Sequence, residues 1–375
     1  MRRFVYFLIV CVFLCGMSYY FINNSETFDG VLEPVDVYNE DAFFYSRLGE
    51  NQKKAYNLIM KEIYDFPEKI VVPSLTHKEL DRLYEAILYD NNDLFFLKPS
   101  CSISSVGAKT YFKPEYMLSR TEYENRMVEI EKAQKHILSQ IATDDEYEIE
   151  LFIHEEVLKN CKYDESDDPD SSTMYGCLVL GKASCEGYSR AIKSLLDKCN
   201  IENYFALGQT INNENPNIGH MWNIVRIKGE YYHLDATWND NNDDNENLSY
   251  TYFNISDNEI RNTHIVEDRF LGCCNSMNEN FFVKNELYFE VYDENTKNII
   301  SQKLAEYSKL NKTKLSFKFE NELVYNIAKK DLIENEEIHR LLQRANLITD
   351  KRLQVSEVRY TIDDYQYLIS IVDYF

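Results

Sequence analysis

The chain has 375 residues, of which 44% are hydrophobic and 14% aromatic, which is enough apolar material for packed cores and excludes a disordered protein. Gly and Pro are few, at 11 and 7, and this excludes collagen-like and low-complexity classes. The formal net charge is −23 and no basic stripe offsets it, so the chain would repel phosphate backbones and we expect no nucleic-acid partner.

The first 25 residues differ from the rest of the chain. Arg2 and Arg3 precede an uncharged stretch whose core, residues 4–22, is rich in Phe, Val, Leu and Ile and has the length of a membrane-spanning helix. Because positive flanks stay in the cytosol, we expect residues 1–25 to anchor the chain in the cell membrane, with everything that follows outside. The alternative is a cleaved signal peptide and a secreted product, although no clear small-residue cleavage site is present.

Residues 26–145 are predicted to form a mainly helical region. Thr76, followed three residues later by Glu79, has the form of a capping box that opens a helix. The spacing of apolar residues predicts helices and one strand-like patch: helices at 50–64, 76–90 and 120–141, and the patch near 94–112.

Residues 180–196 contain a candidate nucleophile. After the turn signal Gly181, apolar residues recur at helical spacing, which places Cys185 in the first turn of an amphipathic helix. The unpaired N–H groups and the dipole of a helix N-terminus stabilise a thiolate, and they can stabilise an oxyanion formed at an attacked carbonyl. Gly187 would leave room for a substrate backbone beside the thiol. Taken alone, Cys185 has a commoner alternative role as a small buried hydrophobic residue.

Residues 219–238 are predicted to form two antiparallel strands with a turn at Lys228–Gly229. The register brings His220 and Asp235 diagonally together on one face of this hairpin. A histidine held by a carboxylate has a fixed tautomer and can take the proton of a cysteine, so the pattern predicts His220 as base and Asp235 as orienting acid. For Asp235 a surface carboxylate is the alternative. A two-residue loop fixes the facing pairs: Ile227 with Glu230, Trp222 with Asp235, and His220 with Thr237.

Two other histidines and both tryptophans lie near the predicted site in the sequence. We place His233 on the face opposite Asp235, because side chains alternate along a strand, and exclude it as the base. His154 lies on a predicted helix ahead of the site, where packing or solvent exposure is expected. Trp222 and Trp238 flank the predicted base and acid; core packing is their default role, and lining the substrate cleft is the functional one.

Cysteine spacing predicts neither a metal site nor a unique disulfide pattern. Of nine cysteines, two lie in the predicted anchor, and six besides Cys185 could pair with a connectivity that stays open. No C-x-x-C pair or Cys/His cluster has zinc spacing, so we expect no metal and no other cofactor. Cys273 and Cys274 are adjacent to no histidine, which favours structural thiols. The acidic run at 164–170 is predicted to be a solvated loop, since it lacks the glycine spacing of a calcium-binding EF-hand.

Residues 280–375 are predicted to form a separate accessory unit for binding or packing. Strands and helices alternate there, which favours a small layered α/β sheet, and no chemical motif is present. The predicted strands lie at 287–292, 313–319, 355–361 and 366–374, and the helices at 294–308 and within 321–346.

The motifs around the three candidate residues resemble those of the transglutaminase-like superfamily. They are Cys-Glu-Gly-Tyr-Ser-Arg-Ala at 185–191, Gly-His-Met-Trp-Asn-Ile-Val at 219–225 and Tyr-His-Leu-Asp-Ala-Thr-Trp-Asn-Asp at 232–240. Their order of Cys, His and Asp is the family order. The sequence looks most similar to a bacterial branch that is itself similar to the transglutaminase/protease-like domains of cytokinesis proteins. Ser184 departs from the pattern, since the family often has an apolar residue before the cysteine.

The resemblance implies an α+β fold with a papain-like core over residues 146–275, in which a nucleophile helix packs on an antiparallel sheet. It implies a Cys185–His220–Asp235 triad, beside which we expect Trp222, Trp238 and Gly187 to border the substrate. The leading hypothesis is therefore acyl transfer on protein or peptide amides, as a peptidase, a deamidase or a transglutaminase, since the thioester is common to all three.

Two other functions are compatible with parts of the sequence. A non-catalytic extracellular module that binds a protein or a cell-wall peptide with the same fold is the main alternative, and the intact triad argues against it. A disulfide oxidoreductase would need a resolving cysteine close to Cys185, and the chain has no C-x-x-C motif.

Overall fold

The computed structural model describes residues 42–106, 109–166, 168–211, 218–240 and 248–375. The predicted anchor at residues 1–25 lies outside these residues. Across the described ranges, no helix combines the length and the apolar character needed to cross a bilayer.

The described chain is a mixture of helices and mainly antiparallel sheets, which agrees with the predicted α+β class. The helices are α1 (Glu50–Glu62), α2 (His77–Asp90), α3 (Arg120–Leu138), α4 (Glu146–Asn160), α5 (Cys185–Lys198), α6 (Ala236–Asn239), α7 (Asp257–Ile260), α8 (Phe281–Lys284), α9 (Glu294–Lys309), α10 (Glu322–Lys329) and α11 (Glu337–Asn346). The strands are β1 (Ile70–Val72), β2 (Leu97–Val106), β3 (Lys109–Tyr116), β4 (Lys162–Tyr163), β5 (Lys182–Ala183), β6 (Asn203–Thr210), β7 (Ile218–Ile227), β8 (Glu230–Leu234), β9 (His264–Val266), β10 (Tyr288–Phe289), β11 (Lys314–Phe319), β12 (Arg359–Asp363) and β13 (Leu368–Val372).

The N-terminal region packs helices α1 and α2 beside a three-stranded sheet of order β1-β3-β2. The predicted capping box is confirmed: Glu79 accepts the Thr76 N–H at 2.7 Å, and the Thr76 hydroxyl accepts the Glu79 N–H at 3.4 Å. One hydrophobic core continues from this region into the central sheet, because Phe96 and Phe112 belong to the same buried cluster as Trp222. The N-terminal region therefore supports the sheet that carries the predicted base.

The central sheet has the order β8-β7-β6-β9 and is antiparallel throughout. Helix α5 packs on β7, and α4 packs on α5, so the helix that begins at Cys185 lies directly on the strand that carries His220. Tyr188, Ile192, Leu195 and Leu196 form the buried stripe of α5, at the helical spacing expected from the sequence.

The β7–β8 hairpin has the predicted register over most of its length. Ile227 pairs with Glu230, and the two turn residues Lys228 and Gly229 have positive φ angles of 51° and 89°. Two-residue turns of this kind match the twist of the strands that they join. Strand β8 ends at Leu234 and Asp235 opens the short helix α6, so the predicted pairing of His220 with Thr237 is wrong. On its other side β7 pairs with β6, where His220 lies opposite Gly208.

The C-terminal residues form a four-stranded sheet of order β10-β11-β13-β12 with helices α9, α10 and α11 packed around it. It has its own hydrophobic core, which includes Phe317, Ile369 and Leu341. The first predicted strand, at 287–292, contains only the two residues of β10. The boundaries predicted for the accessory unit stay a prediction.

Candidate active site

Cys185 is the first residue of helix α5, as predicted, and its side chain is almost wholly buried, with the residue 3% exposed. The preceding Ser184 is the N-cap residue, but its hydroxyl donates to the Ser171 carbonyl at 3.3 Å instead of accepting an N–H of the helix. The first N–H groups of α5 are thus left without a side-chain cap. Such groups are available to an oxyanion that forms beside the thiol.

Two polar side chains clamp α5 to strand β7 and set the position of Cys185 relative to His220. The Ser189 hydroxyl lies 2.8 Å from the Cys185 carbonyl and 3.0 Å from the Met221 carbonyl, both of them acceptors. The Asn223 amide donates to the Ser189 carbonyl at 3.1 Å. Both clamping residues are buried, and sequence analysis did not identify either of them.

His220 is hydrogen-bonded to Asp235 and interacts electrostatically with Cys185. Its Nε2 lies 2.6 Å from Asp235 Oδ2, which leaves Nδ1 as the ring nitrogen available to the thiol. Burial lowers the pKa of His220, but the Asp235 carboxylate and the interaction with Cys185 outweigh burial and raise this pKa to about 10. The predicted base and acid therefore meet, and the imidazolium form of His220 is strongly favoured.

Asp235 is buried and accepts hydrogen bonds on both carboxylate oxygens. Oδ2 faces His220 and, at 3.2 Å, Nε2 of His264, while Oδ1 accepts the Trp238 N–H at 3.1 Å at the start of α6. Burial raises the pKa of Asp235, but the charge and hydrogen bond of His220 together with His264 lower it below its ordinary value. Asp235 is thus an ionised buried carboxylate and not the surface group of the alternative interpretation.

His264 is a site residue that sequence analysis missed. It begins strand β9, which pairs with β6, and is 29 residues from Asp235 in the sequence. No local pattern links the two, because the contact depends on β9 joining the far edge of the sheet. Burial lowers the pKa of His264, in spite of Asp235, so the ring is neutral near pH 7.

The placement of His233 on the face opposite Asp235 was wrong. Positions 233 and 235 are two apart, so they share a face of the strand, and His233 joins the cluster that contains Trp222. The Trp222 indole N–H donates to His233 Nδ1 at 2.9 Å, which leaves the proton on Nε2, 2.8 Å from Asp257. Both ring nitrogens are therefore occupied, and this is why His233 is unsuited to act as the base.

The three residues predicted to border the substrate differ in position. Trp222 is wholly buried and stacks on His220 with ring centroids 5.7 Å apart, which favours its packing role. Trp238 is partly exposed, 6.2 Å from the His220 ring, and remains a prediction for the cleft wall. A Cβ on Gly187 would lie 2.3 Å from the Ser171 carbonyl oxygen, so the space beside this glycine is filled by the protein's own backbone and not by a substrate.

His154 is buried and packs behind the site, which is the first of the two roles expected for it. Its Nε2 lies 3.0 Å from the Asn239 amide nitrogen, and Asn239 Oδ1 accepts the Tyr252 N–H at 2.9 Å. Because an amide nitrogen only donates, His154 Nε2 is the acceptor and the ring is neutral. Burial lowers the pKa of His154 to about 3, in agreement with this state. His154 thus helps to hold the segment after Asp235.

Two groups of buried side chains in the described residues bring potential metal ligands within 4.8 Å of one another: His220, Asp235 and His264, and His233, Asp257 and Cys274. In both groups the ligand atoms already form hydrogen bonds, with His220 on Asp235 at 2.6 Å and His233 on Asp257 at 2.8 Å. Hydrogen bonds within each group therefore explain why these side chains lie close together. The seven cysteines of the described residues are all unpaired thiols.

Residues 135–236 match the family model of the transglutaminase-like superfamily. The chain thus carries a transglutaminase-like domain, and the match contains Cys185, His220 and Asp235. No curated protein matches the chain.

Six chains of solved structures match this chain, including the following two. One is the crystal structure of a TGase, with 13% identity and a TM-score of 0.27 over 39% of this chain and 46% of that chain. The other is a candidate cysteine protease from Cytophaga hutchinsonii, with 11% identity and a TM-score of 0.26 over 37% of this chain and 61% of that chain. The similarity spans less than two thirds of the length of either structure.

Proposed function

The chain carries a transglutaminase-like domain at residues 135–236, and from this premise we propose that it is a cysteine-nucleophile enzyme that transfers acyl groups from protein or peptide amides. Cys185 is the nucleophile, His220 the acid and base, and Asp235 the group that orients His220. The observation that carries this assignment is the hydrogen bond of 2.6 Å between Asp235 and the buried His220, on the strand against which the helix that begins at Cys185 packs.

The reaction begins with attack of the Cys185 thiolate on the amide carbonyl. The carbonyl π electrons move to oxygen, and the N–H groups at the uncapped start of α5 stabilise the oxyanion. The His220 imidazolium then donates a proton to the amide nitrogen as its bond to carbon breaks, which leaves a thioester and a released amine. Neutral His220 next takes a proton from water or from an acceptor amine, which attacks the thioester and regenerates the thiolate.

The electrostatics of the site support catalysis over a pure binding role. A buried histidine–carboxylate pair carries a desolvation penalty that apolar packing of the same volume would avoid. At this pair the imidazolium interacts with Cys185, which begins a helix that lacks a side-chain cap. An extracellular module that only binds protein or cell-wall peptide would not need this arrangement.

Location outside the cell membrane, through the segment at residues 1–25, is part of the proposal. Protease added to intact cells should degrade residues 42–375 if they lie outside, and should leave them intact if they face the cytosol.

Mass spectrometry of a mixed peptide library incubated with the full chain tests the function. We expect cleavage, deamidation or cross-linking by the wild type, and the loss of all three in Cys185→Ala. Cys199→Ala is the matched control, because Cys199 is the C-cap residue at the opposite end of the same helix and its loss should leave the products unchanged. A library that the wild type leaves intact would favour the binding module, and products that persist in Cys185→Ala would exclude Cys185 as the nucleophile.

A further inference from the structure

A continuous line of buried hydrogen bonds joins the C-terminal sheet to the carboxylate of Asp235. It runs from Lys318 on β11 to Gln366 before β13, then to Thr263 and His264 at the start of β9, and ends at Asp235. All five side chains belong to buried residues. We name these five residues the relay.

Donor and acceptor chemistry fixes the direction of each bond in the relay. Asp235 is ionised and only accepts, so His264 carries its proton on Nε2, 3.2 Å from Oδ2. The other nitrogen of neutral His264 then accepts, and the Thr263 hydroxyl, 2.9 Å from Nδ1, is its donor. The hydroxyl has a single proton, and the Ile260 carbonyl at 3.5 Å is the poorer acceptor for it.

The C-terminal unit supplies the groups that set the Thr263 hydroxyl. Lys318 Nζ donates to Gln366 Oε1 at 3.0 Å and lies 3.1 Å from Glu259 Oε1. Because an ammonium fixes which end of the Gln366 amide is the oxygen, Nε2 faces the other way and donates to Thr263 Oγ1 and to the Glu259 carbonyl, both at 3.3 Å. With a lone pair of Thr263 engaged by Gln366, its proton points to His264.

We propose that the C-terminal unit is part of the catalytic apparatus, and that Gln366, Thr263 and His264 are positioning residues which hold Asp235 against His220. This inference rests on the proposed function, since the pair that it supports is the base and acid of that reaction. The relay explains why a histidine, and not an apolar residue, lies on the far side of Asp235. Hydrogen bonds that share one donor-to-acceptor direction strengthen one another in a buried setting.

The pKa of His220 reports how strongly Asp235 interacts with it, and its measurement requires no substrate. In the full chain labelled with ¹⁵N-histidine, the His220 ring should titrate near pH 10. In Thr263→Val the Nδ1 atom of His264 loses its hydrogen-bond donor, and Asp235 alone then holds the Nε2–H tautomer. In Gln366→Leu the Thr263 hydroxyl loses the amide donor that occupies its lone pair. We expect the His220 midpoint to fall by about one pH unit in each variant, a tenfold loss of proton affinity.

Two controls separate the relay from a general loss of stability. Thr263→Ser keeps the hydroxyl and should restore the wild-type midpoint. Tyr374→Phe removes a bond of the same C-terminal unit, from the Tyr374 hydroxyl to the Lys312 carbonyl at 2.8 Å, and should leave His220 unchanged. The groups whose charges act on His264 are Asp235, His220 and His233, and none of these is altered by the four substitutions.

The results distinguish the relay from the proposed function. Equal midpoints in the wild type, Thr263→Val and Gln366→Leu would overturn the relay, as would a fall of the same size in Tyr374→Phe. In the double variant Thr263→Val/Gln366→Leu the His220 midpoint should shift little more than in either single variant, because both substitutions interrupt the same relay. If the wild type leaves every peptide intact while the midpoints shift as expected, the acyl-transfer function fails and the relay stands.

Discussion

At the scale of single residues, Asp235 accepts bonds from two histidine rings and from one backbone N–H. In Asp235→Asn the side chain has one acceptor for these three donors, and its own amide hydrogens oppose at least one of them. With the negative charge gone, burial dominates and the pKa of His220 falls. We expect kcat/KM for peptide substrates to fall by about 10⁴-fold, in line with the loss on neutralising a triad acid. Steady-state kinetics measure the loss, and an effect smaller than tenfold would contradict the role given to Asp235.

Cys273 and Cys274 are a second residue-scale feature, with Sγ atoms 3.6 Å apart. Hydrogen bonds with Cys274 and Tyr204 lower the pKa of Cys273 to about 6, although burial acts in the opposite direction. The hydrogen bond with Cys273 raises the pKa of Cys274. At pH 7 iodoacetamide should therefore modify Cys273 ahead of Cys274. Peptide mapping after brief labelling reads the order directly. Tyr204→Phe should slow labelling of Cys273 a few-fold, and preferential labelling of Cys274 would refute the assignment.

At the scale of elements, the start of α5 is pressed against the segment that contains Ser171. In Gly187→Ala the new Cβ would lie 2.3 Å from the Ser171 carbonyl and 2.8 Å from the Ala183 Cβ, so the helix or the segment must shift. We expect a loss of about 2–4 kcal/mol in the free energy of unfolding and slower alkylation of Cys185.

Urea denaturation compares this variant with Gly49→Ala, its matched control. A Cβ on Gly49 would meet only the movable Gln52 side chain at 3.3 Å, so the cost there should stay below about 1 kcal/mol. Equal losses of unfolding free energy in the two variants would mean that the structure around Gly187 accommodates the added Cβ at no extra cost.

The elements also show which parts of the site a sequence can predict. The start of α5 and the β7–β8 turn follow from local signals, because helical spacing and a Lys228–Gly229 dipeptide act over a few residues. The pairing of His220 with Asp235 follows from the hairpin register. His264 and Gln366 depend on where β9 and the C-terminal sheet dock, 29 and 131 residues beyond Asp235, and no periodicity encodes those contacts. The role given to Gly187 failed for a related reason, since the backbone that fills its space comes from the distant Ser171.

At the scale of the whole molecule, two buried groups one turn apart on α4 give its stability opposite dependences on pH. Burial lowers the pKa of His154 to about 3, so the unfolded chain binds a proton near pH 6.5 that the folded chain does not, and stability falls as the pH drops below about 6.5. Burial raises the pKa of Glu150 to about 8, against the hydrogen bond from Asn254. Its unfolded value is about 4.5, so stability falls as the pH rises from about 4.5 to 8.

Glu150→Gln isolates the second of these dependences. Glutamine keeps the acceptor for the Asn254 amide, which lies 2.7 Å from Glu150 Oε2, and it has no charge to desolvate. Below pH 4.5 both states of the wild type hold the Glu150 proton, so the variant should match it there. Above pH 4.5 the free energy of unfolding of the variant should increasingly exceed that of the wild type, by roughly 1–3 kcal/mol at pH 8. Urea denaturation at pH 4.5, 6 and 8 measures the difference, with Glu148→Gln on the exposed side of the same helix as control. A difference that is constant with pH, or that shrinks as the pH rises, would show that Glu150 is ionised in the folded chain at neutral pH.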